Sequence, residues 1–193
     1  MSRKRGHVVV SIHQPNFMPW FPYFRKISDA DIFVIMGHCQ FEKNNFQNRF
    51  KINDKWQTLR VKKGNDPIIE KEYIDSEQDW ETIKRKLPEY REVLEKMDYC
   101  ISNNLLETNT KIIKHICKEL NINTKIKEDF KTNSTKTERL VEICQRYKAD
   151  KYLSGPSGKK YIDLDGFKKA KIEILYQDSL PARKNSILEC LTI

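Results

Sequence analysis

Val8-Val9-Val10-Ser11-Ile12-His13-Gln14-Pro15-Asn16-Phe17-Met18-Pro19-Trp20-Phe21-Pro22-Tyr23-Phe24 is the stretch on which the reading of this chain turns. Val8 to Ile12 is a short apolar run of the kind that forms a buried strand. From Ile12 to Phe24 the chain holds three prolines, three phenylalanines, a tryptophan, a tyrosine and a histidine. Connecting loops are usually small and polar. A rigid, aromatic, amide-bearing loop just past a strand therefore points to ligand handling, because open α/β sheets bind ligands beyond the carboxyl ends of their strands.

Working outward, strands and helices alternate. The first strand is expected at residues 7–12, with a short helix through Tyr23-Phe24-Arg25-Lys26-Ile27 and a second strand at Asp31-Ile32-Phe33-Val34-Ile35-Met36. Residues 37–54 read as irregular, and Trp56-Gln57-Thr58-Leu59-Arg60-Val61 alternates with the period of a half-exposed strand. The middle is helical: Trp80, Ile83 and Leu87 recur at helical spacing, and Pro88 restarts the pattern with Tyr90, Val93, Leu94 and Met97. Ile112, Ile113, Ile116, Cys117 and Leu120 form a further stripe. Thr135-Lys136-Thr137-Glu138 has the pattern of a capping box ahead of Leu140, Ile143, Cys144 and Tyr147. A short strand at Tyr152-Leu153, a glycine-bearing turn, a helix near 161–170, a strand at 172–176 and a short last helix near 186–191 complete the series. The alternation predicts an α/β fold, a mainly parallel, Rossmann-like sheet flanked by helices with a helical middle region, in one domain over 1–193.

Composition narrows the class. Charged residues make up 33% and hydrophobic residues 38%, which is polar but sufficient for a core at 193 residues. No apolar run is long enough to span a membrane, and the run after the basic Met1–Gly6 is too short for a secretory leader. These features read as a cytoplasmic protein. The five cysteines are odd in number and contain no CxxC pair, so neither a disulfide framework nor a zinc site is indicated. Cys117 and Cys144 fall on apolar helix faces and read as core. The net charge of +9 permits nucleic-acid or phosphate binding, but the lysines are interleaved with acids and no nucleic-acid motif accompanies them. A solvated lysine-rich surface, with a small sugar- or phosphate-bearing substrate as partner, is the preferred reading.

Several side chains are candidates for a site. His13 can act as a general base or can simply hydrogen-bond loop backbone. Gln14 and Asn16 each donate and accept, which suits sugar or amide recognition, or else they shape the loop. Trp20 and Tyr23 can stack on a ring or pack as the apolar side of the following helix. In Gln47-Asn48-Arg49, Asn48 and Arg49 are expected at an anion, since a guanidinium offers a fixed fork of donors, and Gln40 is placed to orient the same ligand. Ser154-Gly155-Pro156-Ser157-Gly158-Lys159-Lys160 reads as a phosphate-cradling turn, with Lys136 helping to neutralise the charge. It lacks the spacing of a P-loop and of a lipase elbow, so backbone recognition is preferred over a nucleophilic Ser154. A Cys39–His38–His13 pairing and a metal set of His13, His38 and Asp31 are weaker alternatives. The sequence names no metal and no cofactor.

Three blocks of residues resemble the WbqC-like protein family: His13-Gln14-Pro15-Asn16 with Pro19-Trp20 and Tyr23-Phe24; Ala30-Asp31-Ile32-Phe33-Val34 with Gln40-Phe41 and Gln47-Asn48-Arg49; and Lys136-Thr137-Glu138-Arg139-Leu140 with Tyr152-Leu153-Ser154-Gly155-Pro156 and Tyr161. The resemblance implies a transferase of acyl or aminoacyl groups, glycyl among them. Its acceptor would be an amino sugar or nucleotide-linked sugar in O-antigen or other bacterial surface polysaccharide biosynthesis. In such a transferase His13, at the end of the first strand, is expected to be the catalytic base that deprotonates the acceptor amine, and Tyr161, quoted in the third block, joins the substrate-binding set. A nucleotidyltransferase-like enzyme and a non-catalytic binder of glycan or nucleotide are the alternatives. Where members of the family carry acidic residues after the second strand, this chain has Gly37-His38-Cys39.

Overall fold

The computed structural model describes residues 7–178 and 185–191; the basic Met1–Gly6 stretch lies outside them. β1 (Val9–His13) is followed by α1 (Phe21–Ser28) and β2 (Ile32–Ile35). A hairpin of β3 (Arg49–Ile52) and β4 (Lys55–Thr58) leads into α2 (Ser76–Lys86), α3 (Arg91–Glu95) and α4 (Leu105–Glu119). The chain then alternates through β5 (Lys125–Glu128), α5 (Lys136–Arg146), β6 (Lys151–Ser154), α6 (Leu164–Lys169) and β7 (Glu173–Tyr176), and α7 (Leu188–Leu191) follows.

Five strands form one sheet in the order β5-β2-β1-β6-β7, and every pairing in it is parallel. Counted along the chain, the order is third, second, first, fourth, fifth, as in a doubly wound fold. Strand alternation sorts the core into two layers. Val10, Ile12, Val34 and Tyr152 pack with Leu140, Ile143 and Cys144 of α5 and Phe167 of α6. Phe33 and Ile35 pack with Phe24 and Ile27 of α1 and Ile112, Ile113 and Ile116 of α4. The sheet is thus covered on both faces, which is what lets β2 be apolar throughout and β1 apolar at Val9, Val10 and Ile12. Cys117 and Cys144 are buried as expected, and burial pushes both thiols up to about 12. No helix among the described residues is long and apolar enough to cross a membrane.

Three local expectations are corrected. Residues 37–54 are not irregular throughout: Phe50 and Ile52 point into the core while Arg49 and Lys51 do not, and this alternation makes β3. The β3–β4 turn is Asn53-Asp54, with φ of 47° and 59°, the left-handed pair that a two-residue hairpin requires. β5 was not expected at all. It is an edge strand with Ile126 as its one apolar residue, and its lysines suit an exposed edge. Thr135 does occupy the N-cap position of α5, but its side chain makes no capping bond. Lys136 instead takes a φ of 49°.

The aromatic loop after β1 turns inward. Phe17 and Met18 are fully buried, and the Phe17 ring meets Phe50 at 5.5 Å and Trp80 at 6.2 Å. Asn109 of α4 ties the loop down, its Nδ2 donating to Pro15 O and Gln47 O, both at 2.7 Å. Truncating Phe33, which is wholly buried between the sheet and its helices, to alanine is expected to cost about 3–5 kcal/mol. Ile74→Ala, at a side chain 56% exposed, is expected to stay within about 0.5 kcal/mol. Urea unfolding with an unchanged slope checks both.

Candidate functional site

The strand order reverses between β1 and β6, and the crevice beyond their carboxyl ends opens into a cavity of about 860 Å³. Five segments line it: the end of β1 with His13 and Gln14, α1 with Lys26, the segment after β2 with His38 and Gln40, the start of α5 with Lys136 and Arg139, and the turn after β6 with Gly155. Another cavity, of about 580 Å³, lies at the opposite end of the sheet and includes Asp31.

One wall of the larger cavity is organised by Asp129, which follows β5 and is 7% exposed. Its Oδ1 accepts from the backbone N–H of Gly37 at 2.8 Å and of His38 at 3.2 Å. The same oxygen lies 2.9 Å from His38 Nδ1, and Oδ2 accepts from Arg139 Nη2. Arg139 Nη1 also donates to His38 O at 3.1 Å. A carboxylate already gripped by a guanidinium and two amides acts only as an acceptor, so His38 Nδ1 carries the hydrogen. In a neutral ring this tautomer places the lone pair on Nε2, and the ring lines the cavity.

The opposite wall carries His13 and Lys26. His13 Nδ1 donates to Gln14 O at 3.0 Å, and its ring meets Tyr23 edge-on at 4.8 Å. Burial, and then the charge of Lys26, hold the His13 imidazolium down to about 3, although the bond to Gln14 works the other way. Lys26 is 4% exposed, and its Nζ donates to Ile12 O at 2.8 Å. Burial holds its ammonium down to about 7. Cys39 also lines the cavity, but its thiol donates to Met36 O, and burial pushes it up to about 11.

The model of the WbqC-like protein family matches residues 14–185. The chain belongs to the WbqC-like protein family. It is similar, at 29% identity over 188 residues, to a Mycobacterium tuberculosis (strain ATCC 25618 / H37Rv) protein described as uncharacterized protein Rv1507c. That match covers 88% of this chain and 81% of the relative. Among solved structures, a Zn(II)-bound mutant variant of AdcAII from Streptococcus pneumoniae aligns over 97% of this chain and 96% of its own. Its identity is 14% and its TM-score 0.22, too low to carry an argument.

Of the residues of this WbqC-like chain expected at a site, His13, Gln14, Gln40, Lys136, Gly155 and Tyr161 line the cavity. The other six do not. Asn16 is buried in the loop. Tyr23 is buried under His13, its hydroxyl donating to Gln14 O at 3.0 Å. Trp20 packs on Phe46 with ring centroids 4.8 Å apart. Asn48 Nδ2 donates to Leu59 O at 2.9 Å, so it braces the hairpin. Arg49 lies over the Trp56 ring at 4.1 Å and donates to Asn44 O. Ser154 is 1% exposed, its hydroxyl donating to Gly155 O at 3.1 Å. A side chain on Gly158 would come within 2.0 Å of that hydroxyl, so the turn is closed on itself. The set His13, His38 and Asp31 does not assemble, because Asp31 Oδ2 accepts from Val9 N at the other end of the sheet.

Lys26, Asp129 and Arg139 escaped the sequence reading. Lys26 had a legible signal, since it shares the buried helix face of Tyr23 and Ile27. Arg139 likewise shares the buried face of Ile143. Asp129 had none, because its partners are about ninety residues away at Gly37 and His38.

The shift of His13 has a signed consequence for stability. The unfolded chain holds its proton up to the ordinary value of 6.5, the folded chain only up to about 3. Acidification from pH 6.5 to 3 therefore favours unfolding through this group. The Tm difference between wild type and His13→Gln is expected to move in the variant's favour across that window and to level off below it. A constant difference, by thermal melts at closely spaced pH, would mean that His13 titrates normally.

Proposed function

We propose that this chain is a cytoplasmic group-transfer enzyme that delivers an acyl or aminoacyl group, glycyl being one, to an amino sugar or nucleotide-linked sugar in surface-polysaccharide assembly. The observation that carries the reading is the carboxylate-oriented His38 on the wall of a cavity at the switch point of the sheet. Membership of the WbqC-like family supports it.

In this reading His38 Nε2 takes the proton of the acceptor amine or hydroxyl as that atom bonds to the acyl carbon. The bond from the acyl carbon to its donor breaks, and the imidazolium returns the proton to the departing group. Asp129 holds the ring in one tautomer and one orientation. His13, held neutral by burial, is a poor proton acceptor near neutrality, so the base role expected of it passes to His38. Gln14 and Gln40 supply amide donors and acceptors for sugar hydroxyls. Tyr161, 66% exposed at the cavity, offers a ring face to the sugar.

The test is incubation with nucleotide-linked amino sugars and acyl or aminoacyl donors, read by mass spectrometry. His38→Gln is expected to lower turnover about 10²–10⁴-fold, the usual contribution of a positioned base, with Tm retained. Unchanged turnover would sink the assignment. A sugar that raises Tm yet is never consumed would support a binder instead. The strand order, with a histidine ending the first strand, favours nucleotidyl transfer as a second reading; release of pyrophosphate from ATP would select it.

A further inference from the structure

Among the described residues three lysines, Lys26, Lys71 and Lys84, are almost wholly buried, and two of them are neutralised. Lys71 Nζ meets Asp66 at 2.8 Å. Lys84 Nζ meets Asp98 at 2.9 Å and Glu81 at 2.5 Å. Lys26 is the exception: among the described residues no carboxylate lies within 4.0 Å of its Nζ, and its one protein acceptor is Ile12 O. An ammonium has three hydrogens to donate. Removing such a group from water without a counter-charge is unfavourable, and this one lines the cavity.

The charges around it do not close the balance. His13 faces it from β1 and is neutral; Tyr23, on its own helix, is held in its phenol form by burial. Across the cavity stand His38, Lys136 and Arg139, with Arg139 committed to Asp129. The cavity's own carboxylate, Glu42, is exposed and engages the side-chain amides of Gln14 and Asn45. Two lysines, Lys26 and Lys136, thus stand against one exposed carboxylate that contacts neither, and Lys26 is the one shielded from water.

We propose that Lys26 is the seat of an oxyanion carried by the substrate, a phosphate or carboxylate group that enters beside His13 and draws a proton onto the Lys26 amine as it binds. The inference rests on the cavity being the substrate site. Burial holds the free ammonium down to about 7, against an ordinary 10.5. A bound oxyanion supplies the missing counter-charge and restores the protonated form, so binding and proton uptake are linked.

The probes are sulfate, a phosphate surrogate that does not titrate near neutrality, and acetate, which separates the carboxylate source from the phosphate one. Calorimetry in two buffers of different ionisation enthalpy reads affinity and protons together. At pH 8 wild type is expected to take up close to one proton per bound anion, and about none at pH 6. Affinity is expected to fall about tenfold per pH unit above neutrality. Lys26→Met is expected to weaken binding at least about tenfold while raising Tm at pH 6, because an unpaired buried cation is gone. Lys26→Arg is expected to keep binding without proton uptake, since a guanidinium stays charged. Uptake is expected to persist in His13→Gln.

The proposal is overturned if neither anion binds, if wild type binds at pH 8 without proton uptake, if uptake vanishes with His13, or if Lys26→Met binds as wild type does. Should Lys26→Met fail to fold, the wild-type pH profile decides alone. None of these measurements needs turnover, so anion binding without transfer would sink the transferase reading and leave this one standing.

Discussion

β1 is hydrogen-bonded on both sides, and that constraint sets the rest of the molecule. Val10 lies opposite Ile32 of β2 and also opposite Tyr152 of β6, all three running in the same direction. The chain leaves β1 through α1 toward β2, and it reaches β6 through α5 on the other face. The two connections diverge, and a crevice opens beyond the carboxyl ends of β1 and β6. His13, the segment holding His38, the start of α5 and the turn at Gly155 meet because backbone pairing delivers all four to one rim.

The cavity holds two electrostatic arrangements. On the side of α5, Asp129 and Arg139 neutralise one another, and a histidine is oriented as a by-product of that balance. On the side of α1, a buried lysine and a half-buried histidine stand without a carboxylate, and each is pushed toward its neutral form. One wall holds a ring in place, and the other carries the lysine that the proposed oxyanion would meet. A cavity lined only by surface lysines would do neither, because solvent would screen them.

The fold was legible where strands are covered on both faces. Val8 to Ile12 and Ile32 to Ile35 read as apolar runs because the sheet buries both sides of them. β5 was illegible for the converse reason: at the edge its lysines face water, and one isoleucine makes no pattern. The site was half legible. His13, Gln14, Gln40 and Gly155 could be placed from the strand ends they follow, Lys136 from the helix start it occupies, and Tyr161 from the family resemblance. The aromatic loop misled because composition does not reveal which way a ring turns, and the partners that draw Phe17 inward lie in β3 and α2. Asp129 needed knowledge of β5 before its carboxylate could be set against His38.

Asp129 has one further implication. The carboxylate that would tune the reactive ring also pins the segment after β2 to α5, through four contacts made by three separate stretches of chain. The proposed chemistry and the architecture therefore share a single fastening. A lineage that lost the proposed reaction would not be free to discard the acid. It would be retained as a strut long after the histidine beside it had changed, and its persistence among descendants would say little about whether they still catalyse anything.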